Sequence, residues 1–191
     1  MKGYIQVYTG DGKGKTTAAI GLAIRAIGAG KKVCIIQFMK SLAYSEQKVL
    51  QNLPGITLIT LGKPYFIAKE GMLTEEEIKA WGDQLTVYPP GHPPKDYRDM
   101  VLKGVDDAVK AVSGAYDLVI LDEYNMAYWY DLATEEDTKR ILAAKSPETE
   151  LVFTGRNAPK IILDAADLIT EMKKIRHYYD KGVLCRKGIE N

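Results

Sequence analysis

Residues 4–20 read YIQVYTGDGKGKTTAAI, which is a short strand pattern, a glycine-rich turn and the beginning of a helix. The strand pattern covers residues 4–9, and the helical pattern that begins at Lys15 continues to residue 29. Backbone N–H groups in such a turn, together with the positive end of the helix dipole, favour a bound anion. The stretch therefore predicts a phosphate-binding loop after the first strand of an α/β domain.

The loop departs from the usual pattern G-x-x-x-x-G-K-[ST] because Thr9 stands where the first glycine is expected. Gly10 follows directly and can provide the flexible turn. Lys15 is predicted to contact the phosphates, and the Thr16 hydroxyl is predicted to bind Mg²⁺. The residues predicted to hold the nucleotide are Thr9, Gly10, Asp11, Gly12, Lys13, Gly14, Lys15, Thr16 and Thr17.

The rest of the chain alternates apolar runs with helical patterns. Strands are predicted at 32–38, 56–61, 116–122 and 150–155, with a weaker one at 167–172; helices are predicted at 15–29, 96–112, 135–144 and 160–166. This alternation predicts a single α/β domain over residues 1–191, with a mainly parallel β-sheet and helices on both faces. A proline- and aromatic-rich excursion at about 62–95, with a short helix at 74–81, is either a surface excursion or a ligand contact.

Two acidic residues end the strand LVILDE at residues 118–123. Alone, Asp122 and Glu123 would be interpreted as a solvated strand tip. Together with a phosphate loop they predict a magnesium-facing Walker B carboxylate. Either acid can hold the metal, directly or through water, so the predicted metal ligands are Thr16, Asp122 and Glu123, and the predicted catalytic residues are Lys15, Thr16 and Glu123.

Composition narrows the function classes further. The chain has 191 residues, 27% of them charged, and a formal net charge of +1, so no bulk field favours nucleic acid or a membrane. Its two cysteines lack the close spacing of a zinc site. No signal-peptide pattern or apolar run of bilayer length occurs, so we expect a cytoplasmic protein without membrane or nucleic-acid partners.

Several nucleotide-dependent classes lack their other motifs. There is no N-K-x-D-like guanine-reading motif, no zinc cysteines as in many thymidine kinases, and no arginine-rich lid as in small-molecule kinases. A RecA-like motor stays open on the motifs alone. So do a nucleoside or small-molecule kinase and a non-catalytic nucleotide switch.

Five motifs in order resemble one family. They are TGDGKGKTTAA at 9–19, LDE at 121–123, FTGRNAP at 153–159, AADLITEM at 165–172 and KGIE at 187–190. This set is similar to that of the P-loop ATP:corrinoid adenosyltransferases, also called cob(I)alamin adenosyltransferases. The resemblance implies a homodimer of Rossmann-like P-loop NTPase-type subunits. It also implies transfer of the adenosyl group of ATP to cobalt in a corrinoid, release of triphosphate and an electron donor that supplies cobalt(I).

The chemistry of that reaction agrees with the residues. Cobalt(I) is a strong nucleophile, so the protein needs no activated Ser, Cys or Lys, and it needs instead to hold and neutralise the leaving group. Because the broken bond lies at the 5′ carbon, we hypothesise that ATP sits with its α-phosphate near Lys15. Arg156, in TGRNAP, follows a strand end, at the edge where α/β sheets bind ligands. The resemblance implies that it helps to hold the nucleotide or corrinoid; the alternative is pairing with a surface acid.

A corrinoid also needs an apolar face. Many relatives carry a Gly-Phe-x-Trp-like element after the third strand, but KPYFIAKE at 63–70 has no tryptophan. Tyr65 and Phe66 are the predicted corrinoid-facing residues, with core packing as the alternative for Phe66. A second aromatic group that could supply this face is Tyr124, Tyr128, Trp129 and Tyr130.

Overall fold

Six parallel strands form one sheet in the computed structural model, which describes residues 2–41 and 44–190. In chain order the strands are β1 (Ile5–Thr9), β2 (Val33–Phe38), β3 (Ile56–Leu61), β4 (Phe66–Lys69), β5 (Leu85–Tyr88), β6 (Leu118–Asp122), β7 (Glu150–Thr154) and β8 (Leu168–Glu171). The main sheet has the order β3-β2-β6-β7-β1-β8, and β4 and β5 form a separate two-stranded parallel sheet.

The helices lie in the connections between these strands. They are α1 (Lys15–Gly28), α2 (Ser45–Leu50), α3 (Glu75–Trp81), α4 (Lys95–Lys110), α5 (Tyr124–Trp129), α6 (Glu135–Ala144) and α7 (Lys160–Ala165). A π-type turn over Ala111–Ala115 extends α4, and 3₁₀ turns occupy Gly82–Gln84 and Tyr178–Lys181. In the described part of the chain, no helix combines the length and apolarity that a membrane span requires.

Both faces of the main sheet are covered, because successive side chains of a strand point to opposite faces. On β2, Cys34, Ile36 and Phe38 face one core, which α4, α6 and α7 complete. Val33 and Ile35 face the other core, where α1 contributes Ala19, Ala23 and Ala26 and α2 contributes Leu50. The predicted α/β class with helices on both faces is confirmed.

The predicted strands are all present, with ends shifted by at most two residues. The weak pattern at 167–172 is β8, which is exposed along its length and pairs with β1 at the sheet edge. The sequence did not predict α2, α5, β4 or β5. These elements are only four to six residues long, too short for periodicity to show.

The excursion at 62–95 contains β4, α3 and β5. Helix α3 begins with a capping box: the Thr74 hydroxyl accepts the Glu77 N–H at 3.2 Å, and the Glu77 carboxylate accepts the Thr74 N–H at 2.8 Å. The predicted short helix is thus confirmed. Ile67 and Tyr88 are buried against the main core, and the Tyr88 hydroxyl donates to the Tyr130 carbonyl at 2.6 Å. The excursion is therefore anchored just after α5.

Candidate nucleotide and metal site

Four neighbouring strands bring polar residues to one edge of the sheet. The order β2-β6-β7-β1 places their carboxyl ends side by side. The phosphate loop follows β1, Lys40 follows β2, and Glu123 and Arg156 follow β6 and β7. Ligands of α/β sheets bind at this edge, so these connections define the candidate site.

The phosphate loop closes around its own lysine. Gly10 and Gly14 have φ angles of +96° and +118°, which side chains other than glycine rarely adopt. The Lys15 ammonium donates to the carbonyls of Gly10 and Gly12, each at 2.7 Å. Burial lowers the pKa of Lys15, and the Arg156 charge acts in the same direction, while Glu123 opposes both. The loop thus holds a buried cation at the beginning of α1.

Gly10 packs against the Met172 carbonyl, and Gly12 both packs against this carbonyl and hydrogen-bonds to it. The Gly12 N–H donates to the Met172 carbonyl at 2.6 Å, and a Cβ at this position would lie 2.6 Å from the same oxygen. The Met172 N–H donates to the Thr9 carbonyl at 2.8 Å. The segment after β8 therefore packs tightly on the loop. The Gly12 amide is directed at Met172 here.

The remaining loop residues lie further from the centre of the site. Lys13 is exposed, donates to the Ile189 carbonyl at 3.1 Å and lies 3.8 Å from the Glu190 carboxylate. Asp11 and Thr17 are exposed. Lys13 is therefore held toward the C-terminal segment in this structure.

The predicted pairing of loop and acidic strand end is observed. The Thr16 hydroxyl donates to Asp122 Oδ1 at 2.8 Å, although 106 residues separate them. Thr154 donates to the same oxygen at 2.7 Å, and Gln37 donates to Oδ2 at 3.1 Å. Burial opposes the charged carboxylate of Asp122, but Lys40 and the two threonine hydroxyls outweigh it and lower its pKa.

Lys40 completes this cluster. Its ammonium lies 2.8 Å from Asp122 Oδ2 and 3.2 Å from Thr16 Oγ1. Burial acts to lower the pKa of Lys40, but the Asp122 carboxylate outweighs it and raises the pKa. A positive charge therefore lies beside two of the three groups predicted to bind Mg²⁺.

Glu123 lies beside the cluster and borders a cavity. Its backbone is left-handed, with φ of 59°, and its N–H donates to Thr154 Oγ1 at 3.0 Å. Burial and then the Asp122 charge raise the pKa of Glu123. The cavity has a volume of about 220 Å³ and is lined by Met39, Lys40, Tyr44, Glu123, Met126 and Tyr130. Its lining of methionine and tyrosine around two charged groups suits a ligand that is partly apolar.

Arg156 is close enough to act on this cluster electrostatically. Its side chain is exposed, and its charge affects the pKa of Lys15, Glu123 and Tyr130. Within residues 2–41 and 44–190, Arg156 makes no ion pair within 4.0 Å. In the described part of the chain, Arg156 is therefore not paired with a surface acid, which was the alternative interpretation.

The aromatic candidates separate into buried and exposed residues. Tyr65 donates to Asp96 at 2.9 Å and packs edge-on against Tyr97. Phe66 is 57% exposed and lies 4.7 Å, centroid to centroid, from Trp81, which is 42% exposed. Residues 63–70 contain no tryptophan, but Trp81 at the end of α3 lies beside Phe66. Tyr124 is fully buried, so the expectation that it could face a corrinoid is wrong: α5 turns its ring into the core.

Three residues of the site were not identified from the sequence: Lys40, Gln37 and Thr154. Each lies at or just beyond the carboxyl end of a strand that neighbours β6. The rule that such ends collect functional side chains would have identified them, once β2 and β7 were known to flank β6.

The residues fit a magnesium ion. Mg²⁺ binds oxygen ligands, and Thr16 Oγ1 and the Asp122 carboxylate are adjacent oxygens with a cation already beside them, the Lys40 ammonium. The Glu123 carboxylate at the neighbouring cavity is a further oxygen donor. A divalent ion at this edge would therefore meet a suitable donor set.

Comparisons with known proteins agree with this geometry. Residues 1–191 match the family described as ATP:corrinoid adenosyltransferase BtuR/CobO/CobP. A corrinoid adenosyltransferase of Sinorhizobium sp is 32% identical over 99% of this chain and 80% of the relative. Corrinoid adenosyltransferase CobA of Salmonella typhimurium is 30% identical over 99% and 86%, and the Escherichia coli K12 corrinoid adenosyltransferase is 28% identical over 99% and 86%. The chain belongs to the ATP:corrinoid adenosyltransferase family.

Proposed function

We propose that this protein transfers the 5′-deoxyadenosyl group of ATP to the cobalt(I) of a reduced corrinoid, with release of triphosphate. The observation that carries the proposal is the direct hydrogen bond from Thr16, at the phosphate loop, to Asp122, at the acidic strand end. This contact joins the loop proposed to bind triphosphate to the carboxylate proposed to bind the metal. The match of the whole chain to the family supplies the reaction.

In the proposed reaction the electron pair of cobalt(I) forms a bond to the 5′ carbon of ATP. The bond from that carbon to the α-phosphate oxygen breaks, and triphosphate leaves with the bonding electrons. Bound Mg²⁺ would neutralise part of the charge on the triphosphate. Thr16 and Asp122 are its proposed ligands, with Glu123 beside them.

The residues of this chain hold and neutralise the leaving group. Lys15 lies at the beginning of α1, where the helix dipole also favours an anion. Its present acceptors are the carbonyls of Gly10 and Gly12, which a phosphate oxygen can replace as a stronger, charged acceptor. Arg156 adds a charge that acts on Lys15, and Lys13 is proposed to turn from the C-terminal segment toward the triphosphate. No side chain has to act as the nucleophile.

The direction in which ATP lies is part of the proposal. Negative charge develops on the α-phosphate side as the bond to the 5′ carbon breaks, so Lys15 stabilises the transition state best if it lies near the α-phosphate. A structure with ATP would test this. A γ-phosphate on Lys15 would contradict it.

The decisive experiment mixes the protein with ATP, Mg²⁺ and chemically reduced cobalamin. We expect triphosphate and a light-sensitive cobalt–carbon product in equal amounts. A kinase would instead release ADP, and a nucleotide switch would give no turnover. The Lys15→Met variant should lose the activity, whereas Lys160→Met, which removes an equally charged side chain from an exposed pair with Asp164, should keep it.

The homodimer, the electron donor that generates cobalt(I) and the cytoplasmic location stay predictions. Sedimentation of the purified protein tests the first. For the second, turnover from cobalt(II) must depend on an added reductant. Cell fractionation tests the third.

A further inference from the structure

Lys40 lies where a metal ion would have to sit. Its ammonium is 2.8 Å from Asp122 Oδ2 and 3.2 Å from Thr16 Oγ1, the two groups proposed above as metal ligands. The Lys40 side chain is 12% exposed and that of Asp122 is 1% exposed. The ammonium is therefore an enclosed counter-ion rather than a surface charge that happens to lie nearby.

The surrounding residues hold Asp122 ready for a cation. Asp122 Oδ1 accepts from Thr16 and Thr154, and Oδ2 accepts from Gln37. Gln37 is itself fixed by Gln47, whose amide donates to Gln37 Oε1 at 2.8 Å. Thr16 and Thr154 are short side chains at a helix end and on a strand, and the longer Gln37 is held in place by Gln47. Lys40 is the partner of Asp122 with a long, flexible stem, so it is the one that can move away without disturbing the sheet.

The ammonium and a divalent ion exclude each other. Both would need to lie within bonding distance of the same two oxygens, and two cations that close repel strongly at a site screened from water. The cavity lined by Glu123, Tyr44 and Met126 begins at Lys40 and offers the ammonium a second carboxylate. A displaced Lys40 ammonium can therefore move toward the Glu123 carboxylate.

We propose that Lys40 is a tethered competitor of the metal: its ammonium fills the Thr16–Asp122 site until Mg²⁺ arrives with a triphosphate. The proposal rests on the proposed function, in which Thr16 and Asp122 hold the metal. A free divalent ion must displace Lys40 without the help of other contacts. A metal–nucleotide complex also contacts Lys15 and the loop, which helps it to displace Lys40. Metal loading is thereby coupled to nucleotide loading.

Manganese binding to the nucleotide-free, full-length protein tests this, with the free-ion electron paramagnetic resonance signal as the readout. We expect Lys40→Met to bind Mn²⁺ at least about tenfold more tightly than wild type, because the competing charge is gone. Lys160→Met, which removes a lysine of an exposed pair, should bind Mn²⁺ like wild type. Adding Asp122→Asn to Lys40→Met should abolish the gain, which locates the ion at Asp122.

Two further variants keep the test decisive. Lys40→Arg retains a cation and should stay as weak as wild type. Lys40→Gln is neutral but can donate to Asp122, so it carries the same expected gain if Lys40→Met does not fold. Neutral variants that bind Mn²⁺ no better than wild type would overturn the proposal.

Equilibrium dialysis with ATP, which measures the manganese retained by the protein beyond that bound to ATP alone, separates this inference from the proposed function. If wild type takes up manganese with ATP but the neutral Lys40 variants gain nothing without it, only the role of Lys40 is wrong. If wild type fails to bind manganese even with ATP, the proposed metal site itself is wrong.

Discussion

Two buried ion pairs of this protein have the same N–O distance, 2.8 Å, and different surroundings: Lys40–Asp122 and Arg98–Asp137. Arg98 and Asp137 join α4 to the beginning of α6. Asp137 Oδ2 also accepts the N–H and hydroxyl of Thr134, which closes a capping box. The partners of Asp137 in the described residues lie on α4, on α6 or at the N-cap of α6, so this pair fixes two helices.

Lys40–Asp122 instead stands at the carboxyl ends of parallel strands, beside a phosphate loop. Asp122 accepts hydrogen bonds from Thr154 on a strand, from Thr16 at a helix end and from the flexible Lys40. The comparison teaches that distance and burial do not distinguish a structural ion pair from a functional one. What distinguishes them is whether one partner can be replaced by a ligand.

The largest expected difference between the pairs is in activity. Asp122→Asn should lower the rate of adenosyl transfer by about 10³-fold, because it removes a metal ligand and its charge. Asp137→Asn, measured where it is folded, should stay within about threefold of wild type because a change remote from the site has no direct electrostatic role. Initial rates of light-sensitive product formation would measure both. An Asp122→Asn enzyme within tenfold of wild type would place the pair among structural contacts.

The second largest expected difference is in how much ATP and Mg²⁺ stabilise the variants of the two pairs against unfolding. ATP with Mg²⁺ at about one hundred times its dissociation constant should stabilise wild type by about 2.7 kcal/mol. Asp137→Asn should retain that increment on its lower baseline. Asp122→Asn, or wild type with a chelator, should lose most of it. Thermal unfolding with and without ligand gives the measurement, and an equal increment in all samples would refute the link.

The pH dependence of the free energy of unfolding should identify Arg98–Asp137 as a structural pair. Burial opposes ionisation of Asp137, but hydrogen bonds from Thr134 and Arg98 outweigh it and lower its pKa below the ordinary value of 3.8. The stability that this carboxylate contributes is therefore present above that value and is lost as the pH falls through the native pKa.

Asp137→Asn should accordingly reduce the free energy of unfolding by about 1–3 kcal/mol at neutral pH, a difference that shrinks in acid. Urea unfolding at a series of pH values provides the test. As a control, Asp99→Asn breaks an exposed pair with Lys95 and should cost less than about 1 kcal/mol. A penalty for Asp137→Asn that stays constant into acid would show that its charge is not the cause.

The smallest expected effect lies outside both pairs, at the exposed Phe66–Trp81 contact. Phe66→Ala should raise the KM for the corrinoid by about three- to tenfold, because an exposed aromatic contact contributes on the order of 1 kcal/mol. The KM for ATP should not change. Steady-state kinetics with each substrate varied tests this, with Tyr4→Ala as a control at an exposed aromatic residue. An unchanged KM for the corrinoid, with unchanged turnover and cobalt(II) reduction, would remove Phe66 from the corrinoid site.

The sequence was sufficient for those parts of the fold that local pattern determines. Continuous apolar runs identified the strands of the main sheet, and the glycine-rich turn identified the loop. Asp122 was found because it ends such a run. Thr16 and Asp122 were predicted to share a metal, and the direct hydrogen bond between them is a finding of the structure.

The rest depended on which strands are neighbours, and local pattern does not contain that. Lys40 acquires its role because β2 lies beside β6, about which residues 33–40 carry no signal. Tyr124 was misjudged because a helix of six residues shows too little periodicity to reveal which face is buried. Trp81 reaches Phe66 through a fold of the excursion, β4-α3-β5, that the sequence did not predict.

The contact between the phosphate loop and Met172 has a consequence for synthesis. The loop begins at residue 10, but Gly12 and Thr9 hydrogen-bond to a residue made 160 positions after Gly12. A chain emerging from the ribosome N-terminus first must be synthesised past Met172 before the loop gains these hydrogen bonds. The phosphate loop therefore gains its final hydrogen bonds long after its own synthesis, and a nascent chain stalled before Met172 would contain the loop without them.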